Sequence, residues 1–397
     1  MIPRPKIAAV VSAYHRYAHA QHICDRFLEG YGWNGRHRRP PMDLVSLYVD
    51  QQRENDLSRE REARFPRLRI YPSIADALTL GTPDLQVDGV LLIAEHGEYP
   101  SNERGQKLWP RYEFFRQIVS VFRASGKTAP VFVDKHLSWN WDWAREMYDT
   151  ARGMGFALMA GSSLPVTWRL PPVDLPAGAA VREAMCVANG GRDGGSIHAL
   201  ETIQGMVERR RGGERGVGWV QAYEGEEFWR AHAEGVWPRG LFEACLSRSH
   251  RLTQERPGFN HVCPTLDEMK AAAVEPWAFR YGHLDGTRCT MVMLNGVIGD
   301  FCFAADVEGR DTPLSTQMHL PMPPAETTLA SFFSPQVRHI ETLFGEGRSP
   351  IPAERTLLTT GLTAAGLESL HRGQARVETP HLHIAYDAPP QSTFWRG

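Results

Sequence analysis

The chain has 397 residues, 42% of them apolar and 23% charged, with a net charge of −2. That length exceeds one ordinary core and implies two domains, and the charge balance supplies no general attraction to nucleic acid or to an anionic membrane. Six scattered cysteines, never spaced C-x-x-C, speak for reduced thiols in a cytoplasmic protein and against a thiolate zinc site. No apolar stretch reaches the length of a membrane span, and the start MIPRPKIAAVV lacks the pattern of a signal peptide. The basic runs Arg36–Arg39 and Arg209–Arg211 are short and read as solvated surface.

Lys6–Val11 reads as a buried strand, followed by a loop and then a helix over Ala18–Gly30 that closes on glycine. Asp43–Asp50 is a second strand. Ser58–Arg64 is charged, helix or loop, and Arg69–Tyr71 is a short strand. Ser73 is placed to cap a small helix over Ile74–Leu80. Val87–Ala94, Val131–Val133 and Ala157–Met159 are further strands. Between them lie helices over Tyr112–Ser125 and Trp141–Met154. Strands alternating with helices imply a Rossmann-like, doubly wound parallel sheet over residues 1–165.

Such sheets carry their chemistry at the carboxyl ends of the strands. The run Val131–Val133 is followed at once by Asp134, Lys135 and His136, and Val90–Ile93 is followed by Glu95 and His96. If these strands are neighbours, five ionisable groups meet in one crevice. The turn after the first strand, Ser12–Tyr17, has no glycine, although a dinucleotide fold normally places G-x-G-x-x-G there. Tyr14 and His15 are expected to fill the space a pyrophosphate would take. Asp50, at the end of the second strand, suits a ribose. The literal match Gly30-Tyr31-Gly32-Trp33-Asn34-Gly35 follows a helix, so it reads as a surface loop.

Leu164–Gly178 is proline-rich and marks the crossover to a second domain, residues 166–397. There a strong helical pattern runs over Ser196–Arg211. Strands are expected at Gly218–Tyr223, Trp277–Tyr281, Thr287–Leu294, Phe301–Ala305 and Ser315–Leu320. Helices are expected over Thr327–Phe344 and Ala353–His371, and a final strand over His381–Tyr386. These segments read as an antiparallel sheet with helices, an α+β domain. His261 and Cys263 lie in a loop and lack the second pair a metal site needs.

Three segments carry a resemblance. Asp134-Lys135-His136-Leu137 resembles the E-K-P-L motif of the Gfo/Idh/MocA oxidoreductases, with Lys135 on its lysine. Gly194–His198 (GGSIH) resembles their G-x-x-x-H segment, with His198 on the catalytic histidine. The helix 353–371 and the following GQARVETP resemble their closing A-x-x-S-x-x-x-G-x-x-V. The resemblance implies a Rossmann domain joined to an open-sheet domain, and association into a homodimer or homotetramer. The missing glycines and the histidine at 136 depart from the pattern.

Strand ends rich in His15, His19, Asp50, Glu95, His96, Asp134 and His136, with His198 from the second domain, hold enough donors for a divalent metal. The leading expectation is therefore a metal-dependent, non-redox enzyme of hydrolase or lyase type. It would act on a small sugar-like or carbonyl substrate through metal-activated water. Glu95, His96 and His136 are the expected ligands of manganese, zinc or iron. Lys135, His198 and Asp134 are the expected catalytic groups, and His19, Arg111, Tyr112 and Glu201 the substrate contacts. The alternative is an NAD(P)-dependent sugar or polyol oxidoreductase. There Lys135 and His198 form the proton-transfer pair, and Tyr14, His15 and Asp50 border the nucleotide. A silent sensor or scaffold is the third expectation.

Overall fold

The computed structural model describes residues 4–251, 263–327 and 329–396; His261 of the loop pair falls outside them. Strand β1 (Lys6–Val11) leads into helix α1 (His19–Glu29), which stops at Gly30, where φ is 85°. The next pair, β2 (Tyr31–Trp33) and β3 (Arg36–Arg38), is a hairpin rather than the expected loop. Asn34 and Gly35 both take positive φ at its turn, as a two-residue hairpin requires. Then come β4 (Asp43–Val49), α2 (Ser58–Arg64), β5 (Arg69–Ile70) and α3 (Ile74–Thr79). Ser73 Oγ accepts the Asp76 N–H at 3.0 Å and caps α3 as the sequence implies. The half is completed by β6 (Gly89–Ile93), α4 (Arg111–Ser125), β7 (Val131–Asp134), α5 (Trp141–Met154) and β8 (Leu158–Gly161).

These strands form one parallel sheet in the order β5-β4-β1-β6-β7-β8. The direction of winding reverses between β1 and β6, which opens a crevice at their carboxyl ends. Since β6 pairs with β7, the strand ends carrying Glu95 and Asp134 are indeed neighbours.

The chain crosses at residues 162–168 into a second sheet of eight strands. Its elements are β9 (Arg169–Leu170), β10 (Val181–Ala188), α6 (Gly194–Val207), β11 (Val217–Glu224), α7 (Gly225–Ala233), α8 (Arg239–Leu246), α9 (Leu266–Ala272), β12 (Trp277–His283), β13 (Arg288–Met293), β14 (Cys302–Val307), β15 (Leu314–Met318), α10 (Ser334–Glu346), α11 (Ala353–His371) and β16 (Val377–Glu378). The sheet order is β16-β11-β12-β13-β10-β14-β15-β9, antiparallel apart from β10 beside β13. Helix α10 begins at Ser334 rather than Thr327, with Pro335 in its first turn. Residues 381–386 form no ladder; Tyr386 alone bridges to Glu214.

Alternation along β10 sends Ala184, Cys186 and Ala188 into the main core, and Met185 and Val187 to the other face. That outer face is not open. Phe228 and Trp229 of α7, Phe242 of α8 and Trp237 from the turn between them pack on it and form a second core. These helices lie between the strands anticipated at 218–223 and 277–281. The six cysteines are unpaired, and among the described residues no helix is long and apolar enough to cross a membrane.

Helix α11 ties the halves together, packing on α5, β8, α6 and β11. Its Arg355 forks onto Glu208 at 2.8 and 2.6 Å, and both side chains are buried. Removing one member of such a pair strands a charge in the core. Arg355→Met is expected to lower unfolding stability by about 3–5 kcal/mol, read from urea denaturation. A change near zero would show that the pair does not hold α11 to α6.

Candidate active site

Strand β7 ends on three polar residues that leave in different directions. Asp134 is still in the ladder. Lys135 takes a left-handed backbone, φ 65°, and its N–H donates to Gly161 O at 3.1 Å. A non-glycine residue in that region is uncommon and concentrates at functional sites. Lys135 Nζ meets Glu95 Oε1 at 2.5 Å and reaches Gly194 O at 3.4 Å. Arg111, at the start of α4 and fully buried, binds the other Glu95 oxygen. It also donates to Asp134 O and to His136 Nε2, both at 3.2 Å. Burial raises the Glu95 carboxyl, but the adjoining Lys135 and Arg111 outweigh it and hold it below the usual carboxylate range.

The imidazoles are held as well. His19 Nδ1 lies 2.7 Å from Asp134 Oδ2. His198 Nδ1 lies 2.5 Å from Ser162 Oγ, and that oxygen also accepts the Leu164 N–H at 3.0 Å. His96 Nδ1 receives the His19 N–H at 3.5 Å. Burial, reinforced by the Lys135 charge, pushes His19 down to about 3 and His198 well below the ordinary histidine value. Burial, helped by His19, also takes His96 down to about 3. Burial lifts Asp134 to about 6 against the pull of Lys135 and Arg111. At neutral pH Asp134 is therefore a carboxylate and the imidazoles are uncharged.

These groups line a cavity of about 500 Å³ between the two sheets. His19, Glu95, Lys135 and His198 make its polar wall, and Phe301, Leu320, Met322, Phe332 and Phe333 its apolar wall. Arg251 borders it but is spent on Asp300 and Glu326. A second space, about 900 Å³, opens at the ends of β1, β4 and β6 and is lined by Ala13, His15, Gln51, Arg53, His96 and Trp109 among others. The His96 and His19 rings, 5.2 Å apart, stand between the two spaces.

The structure revises several expectations from the sequence. Glu95, His96 and His136 do not converge as metal ligands, and among the described residues no three His, Cys, Asp or Glu side chains do. Glu95 already neutralises two fixed cations, and His136 faces a guanidinium. An ion beside them would be repelled by Lys135 and Arg111. Tyr14 does not fill the crevice. Its ring turns beneath the loop, 1% exposed, with its hydroxyl on Asp25 at 2.5 Å, so that Tyr14 borders the space beside His15 without filling it. Asp50 accepts from the Tyr48 and Tyr99 hydroxyls at 2.9 and 2.7 Å. Of the expected substrate contacts, only His19 reaches the cavity. Arg111 lies beneath it. Tyr112 stacks on Trp143 at 4.6 Å and bonds Glu146, away from the site. Glu201 is buried, taking the Ser162 N–H and the Thr356 and Thr359 hydroxyls. Glu201 thus positions Ser162, which holds His198. Ser162 was legible in principle, since it follows a strand end. Phe301 and Phe333 carry no local signal.

No family model matches the chain, and no curated protein matches it in sequence. Solved structures do match in fold. GenD2 from gentamicin A biosynthesis, crystallised with NAD, has a TM-score of 0.58 at 14% identity, covering 95% of this chain and 97% of its own. The myo-inositol dehydrogenase of Lactobacillus casei, with NAD(H) and myo-inositol, has 0.55 at 11% identity, covering 98% and 100%. A Gfo/Idh/MocA family oxidoreductase of Vibrio cholerae has 0.52 at 13% identity, covering 93% and 99%. The fold is the two-domain fold of that oxidoreductase family, as the three motifs implied. The metal-dependent hydrolase or lyase expectation is therefore withdrawn, on the misplaced ligands and on a fold shared with dehydrogenases.

Enclosed imidazoles are held below their ordinary value: His19, His22 and His96 to about 3, His339 to about 4, and His136 and His198 well below it. Unfolding frees each to take a proton near 6.5, so their contribution is complete above that pH and is lost as pH falls through the folded values. Asp134, Asp193 and Glu201, raised to about 6, act oppositely over a narrower range. Stability is expected to fall steadily from pH 6.5 to 4, read as the urea midpoint across a pH series. A midpoint that holds or rises on acidification would contradict these neutral imidazoles.

Proposed function

We propose that the protein is an NAD(P)-dependent oxidoreductase acting on a secondary hydroxyl or the matching carbonyl of a small, neutral sugar- or polyol-like compound. One observation carries the reading. Lys135 from the end of β7 and His198 from helix α6, one in each half of the chain, face a single cavity that adjoins the crevice at the point where the parallel sheet reverses.

A nicotinamide dinucleotide fits the residues present. The turn of Tyr14 under the loop leaves about 900 Å³ free where its bulk was expected. Helix α1 begins just after the turn that lines that space and has no side-chain cap of its own, and the His19 N–H reaches only a neutral imidazole at 3.5 Å. Helix starts of this kind suit phosphate. Ala13, His15 and the first turn of α1 would hold the pyrophosphate, Asp50 a ribose hydroxyl, and Lys135 the nicotinamide end. When bound, the cofactor supplies the hydride acceptor or donor.

The chain's own residues do the rest. Lys135, an ammonium fixed by Glu95, donates to the substrate oxygen and stabilises negative charge as it develops there. His198 is held by Ser162 and donates from the other side. The charges of the cavity are already paired, which favours a neutral substrate. A ring with an apolar C–H face can lie on Phe301 and Phe333 while its hydroxyls meet the polar wall. We propose association into a homodimer or homotetramer as well. With α7 and α8 over the outer sheet face, a second copy would use other surface.

The test is binding and turnover with the full-length chain. NADH or NADPH fluorescence is expected to rise and saturate on titration with protein. Reduction of NAD+ or NADP+ is expected with at least one member of a panel of cyclic polyols and hexoses. Lys135→Met and His198→Asn should each lower kcat about 100-fold or more, the usual worth of a placed proton-transfer group. No binding of either reduced cofactor at millimolar concentration would end this reading.

A further inference from the structure

The partners of each nitrogen in the cavity determine which of them carries a proton. Ser162 Oγ accepts the Leu164 N–H on one lone pair and keeps its own hydrogen free to give to His198 Nδ1, the arrangement in which His198 carries its proton on Nε2. His96 Nδ1 accepts from the His19 amide, so His96 too carries its proton on Nε2. Lys135 is paired as an ammonium with Glu95 and has no lone pair to offer. In that arrangement all three are donors. His19 is built the other way. Its Nδ1 faces the Asp134 carboxylate, which only accepts, so the proton sits on Nδ1 and Nε2 is bare.

The oxidation proposed above needs a base as well as donors. We infer that His19, positioned by Asp134, is the residue that takes the hydroxyl proton, with His198 and Lys135 as the donors facing it. This assignment rests on the oxidoreductase reading and adds a catalytic residue to it. As the carbinol O–H bond breaks, its proton passes to His19 Nε2. The C–H electron pair leaves with hydrogen to the nicotinamide, and the O–H pair becomes the second C=O bond. The imidazolium that results lies against Asp134, which stabilises it as a carboxylate partner does in other His-based sites. The His19 and His198 rings are 6.4 Å apart, a gap that one oxygen with two hydrogen bonds of about 2.8 Å can span. Other groups facing His19 are His22 on its own helix, Lys135 and Glu95 from the strand ends, Arg111 from α4 and Phe333 from the second half.

Nitrogen-15 NMR of the histidine-labelled, cofactor-free protein tests the assignment without turnover. Signals are assigned by their loss in His19→Gln and His198→Gln. At pH 7 the expected pattern is a protonated Nδ1 for His19 and a protonated Nε2 for His198, and Asp134→Asn should shift the His19 pattern while sparing that of His198. In the coupled assay, His19→Ala should lose about 100- to 10,000-fold in kcat, keep its NADH affinity, and regain activity with added imidazole. A His19 protonated on Nε2, or a His19→Ala enzyme that turns over normally, overturns the assignment and leaves the oxidoreductase reading standing. Absence of cofactor binding by the unaltered chain overturns both.

Discussion

The site is organised around a buried carboxylate between two cations. Glu95 accepts from Lys135 on one oxygen and from Arg111 on the other, and all three are nearly out of solvent. Charges this deep are tolerated only when their hydrogen-bonding capacity is met. That requirement joins the end of β6, the end of β7 and the start of α4 in one network. Arg111 then extends it to the Asp134 carbonyl and the His136 ring. Lys135 cannot swing freely, because leaving Glu95 would strand a buried charge. The left-handed backbone at Lys135 is held by the same constraint.

The second half completes the cavity through helices rather than strands. Helix α6 carries His198 in its first turns and Glu201 one turn on. Glu201 reaches back to the Ser162 N–H just after β8, where Gly161, φ 126°, lies so close that any Cβ would stand 2.6 Å from its carboxylate. Thr356 and Thr359 of α11 satisfy the remaining demand. A chain of small, buried polar contacts therefore runs from α11 through Glu201 and Ser162 to His198. The angle of one imidazole depends on the packing of a helix more than 150 residues later in the chain.

Two places in the chain carry bulky residues against the backbone, the turn after β1 and the outer face of the second sheet. The turn has no glycine, yet it stays passable because Tyr14 finds a buried partner in Asp25, itself gripped by Arg61 at 2.9 and 2.8 Å. The outer face is closed by a core of its own built from aromatic residues of α7 and α8. In both places a partner elsewhere in the chain accommodates the bulk.

Local pattern was enough for much of the fold. The apolar runs at 7–11, 90–93 and 131–133, the cap at Ser73 and the glycine stop at Gly30 are short-range signals, and each element formed where it was read. Strand alternation also placed Glu95, Asp134 and Lys135 at one sheet edge, because a parallel strand delivers its last residues to a known end. What such patterns do not carry is the partner each polar group selects. Glu95, His96 and His136 look like ligands in isolation; Arg111, sixteen residues beyond Glu95, draws Glu95 and His136 into an ion network instead, and His96 turns its Nδ1 to the His19 amide. Tyr14 looks like an obstruction until Asp25 draws it under the loop. Side-chain direction and charge pairing arise from contacts between distant segments, and only the folded chain decides those.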